Sequence, residues 1–60
     1  MGYPKFIIRK SSNDEYYFNL YANNYKIIAT SQMYESKSSC KNGIESVKTN
    51  APIAEVDDQS

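Results

Sequence analysis

Only one stretch of this chain, Ser36 to Asn50 (SKSSCKNGIESVKTN), carries helical periodicity, and every strand before it must rely on it for cover. Cys40, Ile44 and Val47 recur at spacings of four and three, which lines them along one narrow apolar stripe. Lys37, Lys41, Glu45 and Lys48 fall mostly on the other sides. Ser36 suits the N-cap, because its hydroxyl accepts from an unpaired amide of the first turn. Asn50 ahead of Ala51-Pro52 ends the run, since proline cannot continue the ladder and disfavours helical backbone in the residue before it. The helix is therefore predicted over 37–50. Asn42-Gly43 interrupts it. Read as a hairpin turn, that pair would leave two fragments too short to be helices, so one helix is retained. A helix-interior glycine is about 1 kcal/mol worse than alanine, and its place beside Ile44 predicts close contact with a sheet.

Three earlier runs alternate with period two: residues 4–10 (PKFIIRK), 15–22 (EYYFNLYA) and 25–32 (YKIIATSQ). Their aromatic and β-branched content marks them as strands. Ser11-Ser12-Asn13-Asp14 and Asn23-Asn24 supply the turn chemistry between them. For Phe6 and Ile8 to share a side with Tyr16 and Phe18, opposed residues must sum to an even number, so the first loop holds an odd number of residues. A three-residue loop from Ser11 to Asn13, with Asn13 left-handed, would pair Ile8 with Tyr16 and Phe6 with Phe18. A two-residue turn at Asn23-Asn24 would set Ile27 and Ala29 beside Leu20 and Phe18, with Ile28 and Thr30 outside. The expectation is a three-stranded antiparallel meander whose inner face is Phe6, Ile8, Tyr16, Phe18, Leu20, Ile27 and Ala29. A fourth strand over about 53–57 would carry Ile53 and Val56 as its apolar anchors, and Tyr34 would pack over the helix start as a staple.

Sixty residues make one domain, and a monomer of this length buries only about 60% of the surface its unfolded chain exposes. Small chains usually add a staple or a partner. One cysteine permits no internal disulfide, and with no histidine there is no zinc-type ligand set. A homodimer is the remaining route. Seven basic and seven acidic residues cancel, which counts against a phosphate-binding footprint. No apolar run reaches the length of a membrane span and the start lacks a signal-peptide core, so a cytoplasmic protein with a reduced thiol is expected.

The run ATSQMYESKSSCKNGIESVKTNAP, residues 29–52, resembles the core motif of the YegP-like family of small uncharacterised bacterial proteins. Typical members read S-E-x-Y-x-S-K-x-S-x-K-N-G-I-E-S-V-K-x-N-A, and KNGIESVK at 41–48 is the most specific part. Upstream, Phe6 to Ile8 and Tyr16 to Leu20 also fit, so the likeness covers about residues 5–57. The chain departs from the pattern at Tyr25 and Met33, where glycine is frequent, and at Ile7, Tyr17, Asn19 and Tyr21, where charged residues are common. The resemblance implies an α+β fold, a β-β-β-α-β unit with one helix on one face of an antiparallel sheet. It further implies a homodimer that exchanges C-terminal strands to make one continuous sheet. No biochemical activity is established for the family.

Chemistry-bearing constellations are few. Ile7, Arg9, Tyr17, Tyr21, Lys26 and Ile28 are expected on the outer sheet face. They make an ordinary solvated face, a patch for a protein partner, or a stacking platform for single-stranded nucleic acid, the last disfavoured by zero net charge. Ile53, Val56 and Asn42 are candidate dimer contacts, and a small-ligand cleft at the dimer seam is a further alternative. Cys40 has no histidine to act as its base and belongs to the apolar stripe, so it reads as a core thiol. Asp57-Asp58 fall far short of a cation shell. No catalytic residue, cofactor or metal ligand is assigned, and the expected function is that of a non-enzymatic binding or structural module.

Overall fold

A computed structural model describes residues 2–60. Three antiparallel strands in the order β1-β2-β3 form the sheet: β1 is Lys5–Lys10, β2 is Tyr16–Tyr21 and β3 is Ile27–Thr30. One helix follows, α1, Lys37–Asn50, with the boundaries its periodicity predicts. The Ser36 hydroxyl accepts from the amide of Ser39 at 3.1 Å and so caps it. At the other end a short 3-10 turn, Ala51–Ile53, closes around Pro52.

Both hairpins use the same device. Each has a three-residue loop whose last residue is left-handed: Asp14 (φ 66°) in the first and Tyr25 (φ 67°) in the second. The closing pairs are Ser11 with Glu15 and Ala22 with Lys26. The first loop thus sits one residue later than expected, on 12–14. Parity survives while register moves by two, so Ile8 faces Phe18 and Phe6 faces Leu20 rather than Tyr16 and Phe18. Aspartate accepts the left-handed region as readily as asparagine, which is why composition alone misplaced the loop.

In the second hairpin an odd loop replaces the even one, and taken alone it would turn the whole of β3 over. A β-bulge undoes the flip. Tyr21 pairs with Ile27, whereas Leu20 pairs with Ala29 and Asn19 with Thr30, so Ile27 and Ile28 together stand opposite Tyr21. Ala29 reaches the inner face as expected. Ile27 does not: it sits across from Tyr21 and is 52% exposed. The strand also starts later than the predicted 25–32, because left-handed Tyr25 cannot belong to it.

The core is small. Phe18 and Cys40 are its buried hydrophobic residues, with Phe6 edge-on to Phe18 at 5.6 Å between centroids. Tyr34 lies parallel to Phe18 at 6.4 Å and pairs with Tyr16 through two backbone hydrogen bonds of 2.7 and 2.8 Å. It does not staple the helix start. Its ring runs beneath Gly43 instead, where a methyl group would collide with the hydroxyl and with Cζ at 2.8 Å. The helix packs on β1 and β2 and leaves β3 uncovered. Beyond Ile53 the residues to 60 form neither helix nor strand, so the segment expected as a fourth strand has no ladder within the single chain.

Gly43→Ala tests this packing. Alanine favours helix by about 1 kcal/mol, yet overpacking typically destabilises by about 1–3 kcal/mol. The expected outcome by urea unfolding is a net loss of stability, with part of it recovered in Gly43→Ala/Tyr34→Leu. A more stable Gly43→Ala single variant would show that the helix stands further from the sheet.

Candidate functional site

Alternation and register decide what the outer face, turned away from the helix, presents. From β1 come Lys5, Ile7 and Arg9, and from β2 come Tyr21, Asn19 and Tyr17 directly opposite them. The bulge adds Ile27 and Ile28, and Thr30 stands opposite Asn19. Of the six residues expected there, Ile7, Arg9, Tyr17, Tyr21 and Ile28 are brought together. Lys26 is not. It closes the second hairpin opposite Ala22, one step out of phase with Tyr21, because the loop is odd. Lys5 takes its place by register, and it was legible from alternation with Ile7 and Arg9. Tyr3 is the residue that no pattern signalled. It packs edge-on against Tyr21 at 5.9 Å and Tyr25 at 4.6 Å, with Lys5 Nζ 4.6 Å from its ring centroid.

Asn19 is 6% exposed although it lies on this open face. Its flanking tyrosines and the cross-strand Ile7 crowd it. Its Oδ1 accepts a hydrogen bond from Thr30 Oγ1 at 2.8 Å, which satisfies the buried acceptor.

The candidate dimer contacts are all exposed. Ile53 is 78% and Val56 95% exposed, far beyond the usual state of such side chains. Asn42 stands on the solvent side of α1 and makes no side-chain hydrogen bond among the described residues. Among those residues no cavity is present, no group of three or more Cys, Asp and Glu converges as a metal would require, and no helix is long and apolar enough to cross a membrane.

Comparisons with known proteins agree on the lineage of this arrangement. Residues 11–58 match the family described as a domain of unknown function, DUF1508. The chain is similar to the UPF0339 protein YegP of Yersinia pestis, 48% identical over 52 residues that make up 87% of this chain and 46% of that one. It is equally similar, 48% over 52 residues, to a UPF0339 protein of Treponema denticola, of which it covers 90%. The chain thus spans about half the length of several curated relatives it matches and nearly all of another. An NMR solution structure of a protein from Haloferax volcanii superposes with a TM-score of 0.81 at 40% identity, covering 90% of this chain and 92% of that one.

Cys40 has no accessible surface, and burial pushes its thiol above the ordinary range. The folded state therefore keeps a proton that the unfolded chain releases above about pH 8.5. The stabilisation is present in full below that pH and is lost as pH rises through the raised folded value. The native thiol is expected to resist aromatic disulfide reagents until urea opens the fold. Stability should fall with alkalinity less steeply in Cys40→Ala than in the parent. Rapid labelling in native buffer would place the thiol at the surface.

Proposed function

The chain belongs to the DUF1508 family, and from that premise we propose that it is a self-complementing, non-enzymatic assembly module, completed by the C-terminal strand of a second copy. The observation that carries this reading is the segment after α1. Ile53, the last residue of the 3-10 turn, and Val56 lie open to solvent on a stretch that pairs with no strand among the described residues. The sheet meanwhile has two free edges and an inner face that one helix covers only over β1 and β2.

Surface area makes the same point. The single chain presents 4873 Å² to solvent, whereas a compact monomer of 6.9 kDa presents about 4000 Å². The excess, about 900 Å², is close to the roughly 800 Å² that each partner contributes to an interface of standard size. Its radius of gyration, 12.7 Å, likewise exceeds the roughly 10 Å of a compact chain of this length. Asn42, with its carboxamide unengaged, offers a polar contact beside the apolar ones. The lengths of the relatives support the reading as well. Matched stretches that fill one protein and about half of others are what a unit would leave if it completes itself either with a second copy or with a second unit in the same chain.

A binding role follows from the chemistry at hand. No histidine is present, and the acids of the helix and tail, Glu45 and Glu55 among them, are exposed. General acid–base work asks for a side chain held within hydrogen-bond reach of a bound substrate, which an open helix surface or tail does not provide.

Sedimentation equilibrium at micromolar concentration is expected to give twice 6.9 kDa, with a melting temperature that rises with concentration. The double variant Ile53→Asp/Val56→Asp should sediment as one copy and melt at lower temperature. A parent chain that sediments singly and melts cooperatively, independent of concentration, would falsify the proposal.

A further inference from the structure

Whole-chain neutrality conceals a sheet whose strands carry cations and no acid, Lys5 and Arg9 on the outer face and Lys10 on the inner one. On the outer face the register sets Arg9 opposite Tyr17 and Lys5 opposite Tyr21, with Asn19 between the two tyrosines. No strand position on that face carries an acid. Glu15, just before β2 and in phase with Tyr17, stands opposite Ser11 at the hairpin end of this face, where its Oε1 accepts from Asn13 Nδ2 at 3.1 Å. Each tyrosine therefore has a cation as its direct cross-strand neighbour, roughly 5 Å away at Cβ. The tyrosine–cation pair repeats about 13 Å along the strand. Asn19 forms the floor between the pairs. Thr30 occupies its Oδ1, while its NH₂ has no partner among the described residues and is not sealed from solvent. Tyr3, edge-on at 5.9 Å, braces the Tyr21 ring.

We propose that this face binds single-stranded nucleic acid, two or three nucleotides per chain. Bases stack on Tyr17 and Tyr21, Arg9 and Lys5 hold the flanking phosphates, and Asn19 donates to an oxygen of the nucleotide between. Every base has a π-face, so a pair of ring platforms accepts single strands with little regard to sequence, and sheet-borne aromatics take two or three bases in this way. A duplex hides those π-faces, and two cations are too few to grip its backbone. An acidic protein segment would answer the cations and the amide donor but would leave the rings unused. The face lies opposite the helix, so completing the sheet with a second copy leaves it open. The proposal does not depend on that assembly.

The test is fluorescence anisotropy with labelled oligo-dT and oligo-rU of about 16 nucleotides, with the same oligomer as a duplex and with oligoglutamate as controls, at about 50 and 200 mM salt. Both single strands are expected to bind, the duplex and oligoglutamate far more weakly. The logarithmic salt slope should be about −1.4 per chain, two phosphate contacts at about 0.7 each. Arg9→Gln lies on an exposed position and should halve that slope. Tyr17→Ala should weaken binding about tenfold at both salts, leaving the slope and the circular dichroism spectrum unchanged. Absence of binding at low salt, binding indifferent to both variants, or equal binding of oligoglutamate overturns the proposal. The last result would reassign the face to acidic protein segments.

Discussion

The fold depends on how closely a single helix can lie against a narrow sheet. Gly43 lets α1 descend until its backbone rests on the Tyr34 ring and beside Phe18, whose Cε2 would lie 3.4 Å from a Cβ there, with Phe6 edge-on to Phe18. Cys40, one turn earlier, is driven into the same space and loses all contact with solvent. A larger residue at position 43 would lift the helix and open a gap that Cys40, Ile44 and Val47 are too small to fill. Dispersion contacts fall off steeply with such gaps, so the closeness of this approach sets the quality of a core that contains very few buried side chains.

A single helix also sets what the sheet cannot hide. A helix with its side chains is roughly 10–12 Å across, and neighbouring strands lie about 4.8 Å apart, so it shelters two strands and little more. It rests on β1 and β2, and β3 is exposed along its whole length. The C-terminal residues, with Ile53 and Val56 in the open, supply apolar surface without adding cover. Surplus apolar surface and an undersized cover occur in the same chain, and each has the chemistry to remedy the other in a second molecule.

Most of this was legible in the residues because face assignment needs only parity. Phe6, Ile8, Tyr16, Phe18 and Leu20 alternate cleanly, and any loop of odd length puts them together; whether Asn13 or Asp14 takes the left-handed position changes the register by two and no side chain's face. The helix was legible to the residue, since Ser36 and Pro52 bound it and its stripe is unbroken. Errors arose where parity itself was at stake. Tyr25 adopts a left-handed backbone that a β-propensity argument would deny to an aromatic residue, and the bulge at Ile27 and Ile28 then restores the face for Ala29 and Thr30. Two compensating irregularities leave no trace in an alternation pattern. Ile27 and Lys26, the residues caught between them, are the ones whose faces were misread. Tyr3 escaped for a different reason: it precedes the first strand, where no periodicity places it.

The same pair of irregularities shapes the outer face. Had the second hairpin closed with an even loop and no bulge, Ile27 would have joined Ala29 on the helix side, and Lys26, Ile28 and Thr30 would stand opposite Tyr21, Asn19 and Tyr17. Doubling the isoleucines opposite Tyr21 builds an apolar shoulder next to the Tyr3–Tyr21–Tyr25 cluster. Tyr21 thus has rings and apolar side chains as neighbours at one end of the row, whereas Tyr17 at the other end faces the exposed Arg9, and both tyrosines are half-buried. The two ends are chemically unequal even though the Tyr–cation pair is repeated. The outer face therefore has a direction, set by a turn residue and a bulge on a strand that the helix does not cover.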